Sequence, residues 1–181
     1  MLNDQNLVLS SAQAVTATAA STNTYDIEIG NTVTTTFTPA PAQIIGNATY
    51  FGEDLGMGRG VGTPTVQVFS GSGTPAVATS LQISLQGAPM NNTAFGTGNV
   101  SDLVFVPYIQ TRAIPLASIL ASIQLAEFSL PRREVGQVLP RFYNLNYIVA
   151  GSNFTGLTLT SYINLGDTSA QSTLGQYPSN Y

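Results

Sequence analysis

The chain has no histidine, cysteine or tryptophan, and its five cations are all arginine (Arg59, Arg112, Arg132, Arg133, Arg141), so lysine is missing as well. Each absence removes a class of chemistry. Without His or Cys there is no Ser-His-Asp triad, no Cys-His pair, no imidazole base and no zinc site of the usual ligands. Without Lys there is no Schiff-base amine and no phosphate-loop lysine. Disulfides are excluded, so the redox compartment leaves no mark on the sequence.

Charge is scarce too. Charged residues make up 8% of the 181 positions, against about 25% in an ordinary soluble domain. Disorder does not account for this, because disordered chains combine high charge with low hydrophobicity, and this chain is 43% hydrophobic with a mean hydropathy of +0.16. The longest apolar-leaning stretch, Ile114 to Leu125, is broken by Pro115, Ser118, Ser122 and Gln124 and falls short of the roughly 20 residues of a membrane span. A net charge of -4 argues against nucleic acid, which needs clustered cations to displace counterions. The start of the chain is acidic, and Leu7 to Leu9 is too short for a secretory apolar core, which predicts synthesis in the cytoplasm. The length suffices for one domain with its own core and no metal or disulfide staple.

What the sequence does contain is alternation. Val15 to Ala19, Tyr25 to Ile29, Thr65 to Phe69, Leu81 to Gln86, Leu103 to Tyr108, Ile123 to Leu130, Tyr143 to Val149 and Leu157 to Leu165 place apolar side chains at every second position, as half-buried strands do. Gly, Pro, Asn and Ser clusters at 56–62, 70–75, 87–92 and 96–99 separate them. The pattern predicts an all-β fold, an antiparallel jelly-roll or β-sandwich. One segment departs from it: Leu116, Ile119, Leu120 and Ile123 have helical spacing, with Pro115 suited to a first helical position. That predicts one short helical connection. The expected organisation is an N-terminal arm at 1–12, a single sandwich at 13–165 and a polar tail at 166–181.

The only titratable groups left for catalysis are carboxylates and phenols. Glu53, Asp54, Asp102, Glu127 and Glu134 are the candidates for an acid pair of the kind a glycosidase sets across a cleft. Alternation through Ile123, Leu125 and Glu127 puts Glu127 on the apolar face, unless a bulge or a shifted register turns it outward. No paired-carboxylate motif is visible, so no catalytic residue, metal ligand or cofactor site is predicted. Gly52 to Gly60 looks like a phosphate loop but leads into a strand and lacks Lys, so its glycines suit a bend in which Arg59 pairs with Asp54 or with a partner's carboxylate. Arg132 and Arg133 form the one local charge cluster and are candidate interface anchors. Tyr177 and Tyr181 have no core to fill in a polar tail, which makes them candidates for insertion into a partner.

These segments resemble a known family. Leu9 to Asn23, Asp54-Leu55-Gly56-Met57-Gly58-Arg59-Gly60 before a Val-rich strand, Leu130-Pro131-Arg132-Arg133, Arg141 to Gly151 and Phe154 to Thr158 are similar to parts of the capsid cement (decoration) proteins of tailed bacteriophages, of the Bordetella phage type. The resemblance covers about half the chain and excludes 30–47 and the tail after Gly166. It implies a jelly roll that associates with itself as a homodimer or homotrimer on the outer capsid surface. There it would bridge major capsid protein subunits and stabilise the shell. The expected location is the host cytoplasm first and the virion surface afterwards, with neither nucleic acid nor membrane as a partner. The alternative expectation is a carbohydrate-binding sandwich on a virion surface, and a carboxylate glycosidase is the third.

Overall fold

Strands with one apolar face must stack that face against another sheet. In the computed structural model of the chain they do so with every pairing antiparallel. The structure describes residues 7–26, 31–37, 44–45, 48–49, 65–89, 92–130 and 140–164. Within these run β1 (Val8–Ala14), β2 (Ala19–Ala20), β3 (Thr24–Asp26), β4 (Asn31–Val33), β5 (Ile44–Ile45), β6 (Ala48–Thr49) and β7 (Thr65–Ser70). They continue as β8 (Ser80–Ala88), β9 (Val106–Gln110), β10 (Ile114–Pro115), β11 (Gln124–Ser129), β12 (Phe142–Ala150) and β13 (Thr158–Asn164). The helical pieces are α1 (Asn92–Thr97) and two 3₁₀ turns, Val100–Asp102 and Leu116–Ser118.

The pairing is nested. β1 pairs with β13, β2 and β3 with β12, β7 with β11, and β8 with β9 and β10. Pairings of β13 with β7 and of β12 with β8 then weld the ribbon into two sheets, ordered β1-β13-β7-β11 and β10-β8-β12-β3-β4. A long antiparallel ribbon folded over itself in this way is the connectivity of a jelly roll. The fold is therefore an all-β antiparallel sandwich.

Leu9, Val66, Val68, Leu159 and Ile163 from the first sheet meet Leu81, Ile83, Leu85, Tyr143, Leu145 and Tyr147 from the second to make the main core. A smaller cluster of Phe37, Ala88, Ala94, Leu103 and Phe142 covers one end of the second sheet's outer face. β12 is consequently buried on both faces at its start, with Tyr143 pointing inward and Phe142 outward.

The structure corrects several expected elements. Residues 15–18 are a loop, because Thr16, Ala17 and Thr18 offer no bulk to bury. The strand lies earlier, at β1, where register shifts between Val8 and Ser10 and between Ser10 and Gln13 bury Leu9 and Ser10 side by side and hide the alternation. The expected arm is thus a sheet edge from Val8 onward. β9 begins later than Leu103, whose side chain goes into the smaller cluster. Pro115 does not start a helix. It ends β10 opposite Ser80, and a single 3₁₀ turn, Leu116–Ser118, follows, after which Ile119 is buried and Leu120 exposed. α1 runs from the end of the expected turn at 87–92 into the one at 96–99 and contributes Ala94 to the smaller cluster.

Candidate docking surface

The candidate interface residues Asp54, Arg59, Arg132, Arg133, Tyr177 and Tyr181 all lie outside the described residues, as do Glu53 and Glu134. Asp102 accepts a hydrogen bond from Thr97 Oγ1 at 2.6 Å. Glu127 is exposed and accepts from Gln124 Nε2 at 2.7 Å and Gln67 Nε2 at 3.2 Å. Its outward face follows from the register shift between Gln124 and Ala126 against β7, which turns Ala126 and Phe128 toward the core. Alternation read from Ile123 is therefore out of phase by Glu127.

Arg141 and Asp26 form a buried bidentate pair, with Nε on Oδ1 at 2.8 Å and Nη2 on Oδ2 at 2.7 Å. The guanidinium also lies over the rings of Phe37 and Phe142, 5.5 Å and 4.9 Å from their centroids. Both charges are enclosed, so the pair ties β3 to the start of β12 under the smaller cluster.

The surface differs most from an ordinary one at the end of the sandwich where four loops gather: 15–18, 71–79, 116–123 and 150–157. None of these loops contains a charged residue. Backbone hydrogen bonds lace them together. Gly71 N donates to Thr158 O, Ser122 N to Gly71 O, Thr79 N to Ala150 O, Leu116 N to Thr79 O, and Phe154 N to Thr16 O, all between 2.7 and 3.1 Å. Ser70 Oγ adds a bond to Leu120 O at 2.5 Å and accepts from Ile123 N at 3.0 Å. Out of this rigid end project Val77, 62% exposed, and Leu120, 60% exposed. Gly151 and Gly156 supply the positive φ values, 82° and 73°, that close the 150–157 loop.

Two other features lie on the second sheet. All five residues of β9 are exposed, with Val106, Tyr108 and Ile109 among the large apolar ones. The ring of Tyr108 approaches β8 over Gly87, where a Cβ would stand 2.7 Å from Tyr108 Cε2 and 2.6 Å from Pro140 Cγ. On the outer face, Gln82, Ser84, Gln86, Asn144 and Asn146 alternate with core residues, and the register sets Gln86 beside Asn144 and Ser84 beside Asn146.

Sequence reasoning missed the loop end. A signal for it was present in the charge-free runs 60–101 and 142–166, each of which supplies one of the four loops. Among the described residues no helix is long and apolar enough to cross a membrane, and no three Asp or Glu gather as a metal site would require. Comparison with protein-family models and with curated proteins finds no match to this chain.

Proposed function

We propose that this protein is a capsid cement, or decoration, protein. It docks on the outer surface of a tailed-phage capsid, bridges major capsid protein subunits and stabilises the shell, acting as a homodimer or homotrimer and not as an enzyme. Made in the bacterial host cytoplasm, it ends on the virion surface. The observation that carries this reading is the laced loop end, which has no charge and projects Val77 and Leu120. Depletion of charge around apolar anchors is the anatomy of an interface core. Loops already held by hydrogen bonds lose little entropy on docking, and repetition over an icosahedral lattice multiplies a modest contact into high avidity. Capsids with and without the protein, challenged by heating and osmotic shock, test the proposal. The expected result is greater survival of decorated shells and co-sedimentation at a fixed ratio to the major capsid protein. Equal survival and no co-sedimentation would sink it.

One observation favours a second reading, a carbohydrate-binding module on a virion. On the second sheet the ring of Tyr108 on β9 is 46% exposed, and Gln86 on the neighbouring β8 is half-buried opposite Pro107. An exposed ring on which a sugar can stack, beside an amide that can bond its hydroxyls, suits a carbohydrate. Glycan-array binding abolished by Gln86→Ala would favour this reading over the first.

A further inference from the structure

Val77 is the place where the loop end departs from what stability alone would select. Its φ is 81°, a conformation in which a β-branched residue is a true outlier. Ala78 N donates to Ala76 O at 3.1 Å, closing a three-residue γ-turn of positive φ, the rare and strained kind. The turn cannot relax locally. Ala76 N donates to Thr155 O at 3.0 Å, Thr155 N donates to Ala76 O at 3.1 Å, and Thr79 N donates to Ala150 O at 2.9 Å. Burial does not compensate, since the side chain is 62% exposed. Glycine or asparagine would fit this backbone at lower cost. A residue unfavourable by conformation and unrewarded by packing points from the observed outlier to a function.

We propose that Val77 is the apolar anchor of the docking surface, held out by a strained γ-turn so that its isopropyl group fills a small apolar pocket in a capsid subunit. This rests on the reading of the loop end as the capsid-facing surface. The chemistry of the four loops selects a protein as the occupant. They offer no cation for a phosphate or an anionic lipid. Their one aromatic ring, Phe154, is buried, so no exposed ring is present on which a sugar could stack. What they do present is Val77 and Leu120 within a rim of Ser, Thr, Gly and Asn, which matches an uncharged protein surface with a complementary recess.

The test compares wild type with Val77→Asn and Val77→Leu for thermal midpoint, oligomeric state and binding to purified capsids depleted of the protein. Asn tolerates positive φ and removes the apolar group, whereas Leu keeps an apolar group on the same turn. The expected Val77→Asn result is a midpoint unchanged or raised by about 2–4 °C with capsid affinity lowered about tenfold or more. Val77→Leu is expected to bind within about threefold of wild type. Wild-type affinity in Val77→Asn would overturn the anchor while leaving capsid docking intact. A lowered midpoint in Val77→Asn would overturn it by showing that Val77 serves stability. Loss of self-association with unchanged capsid binding would overturn it in favour of a second copy as the occupant. A wild-type protein that does not bind capsids would overturn the proposed function and the anchor with it.

Discussion

Tyr143 and Tyr147 lie four residues apart on β12 with both rings buried between the sheets, but their hydroxyls meet different surroundings. Tyr147 OH is 2.8 Å from Ser10 Oγ and 3.0 Å from Ser161 Oγ, joining both sheets through the core. Tyr143 OH is buried without a partner among the described residues. Removing a hydroxyl that bridges two serines strands them, whereas removing an unpartnered one relieves a desolvation cost. Tyr147→Phe should therefore lower unfolding stability by about 1–2 kcal/mol, and Tyr143→Phe should leave it unchanged or raise it, as read by urea denaturation. Burial raises the pKa of both phenols, with the neighbouring Tyr108 adding to the shift at Tyr143 and the two serine hydrogen bonds opposing it at Tyr147. A raised phenol stays protonated in the fold while the unfolded chain ionises near about pH 10. Above that pH the unfolded state binds fewer protons, so stability is full below it and falls as pH rises. Urea midpoints should drop between about pH 9 and about pH 11, and less steeply in Tyr143→Phe. The Arg141–Asp26 pair has the opposite character, since both charges are enclosed and mutually satisfied. Arg141→Met should cost about 3–5 kcal/mol by leaving Asp26 buried without its guanidinium, and adding Asp26→Asn should recover part of that loss. A double-mutant cycle in guanidinium chloride would show no recovery if the pair were incidental.

At the scale of elements, β9 stands apart because all five of its residues are exposed along the edge of the second sheet. Edge strands are normally guarded by charge, proline or a bulge. β9 has Pro107 and a register shift between its pairings with Leu85 and Gln86, but no charged residue. That leaves Val106, Tyr108 and Ile109 open to a further strand. Val106→Lys should reduce concentration-dependent association in light scattering without shifting the thermal midpoint by more than about 2 °C. Unchanged association would place the sticky surface elsewhere. β11 teaches a related lesson, because its one bulge decides on which side Glu127 points.

Across the whole molecule, scarcity of charge sets the expected behaviour. A contact formed by a charge-free loop end gains nothing from long-range attraction and is not screened by salt. Under the proposed capsid docking, occupancy should hence change by less than about twofold between roughly 0.05 and roughly 0.5 M salt, whereas an arginine-anchored contact would weaken severalfold over the same range. A salt titration of co-sedimentation separates the two, and it also weighs the loop end against Arg132 and Arg133 as anchors. The same composition predicts a free protein inclined to associate, since a net charge of -4 over 181 residues provides little repulsion between copies.

The all-β class was legible in the sequence because periodicity is local. Large apolar residues at every second position in Leu81 to Gln86 and Tyr143 to Val149 can bury one face only as strands, and these segments are central in β8 and β12. The excluded chemistries were legible for the same reason, since a missing side chain is missing in any fold. What only the tertiary structure decided depends on residues far apart in the chain. Asp26 and Arg141 meet across 115 positions, and bulges set against partner strands hid β1 and turned Glu127 outward. The positive φ of Val77 is held by Thr155 from another loop, so nothing in the local sequence around Val77 announces it. Alternation states which faces must be covered. Which loops gather at one end, and which side chain that end projects, is settled by pairing between strands that no local pattern encodes.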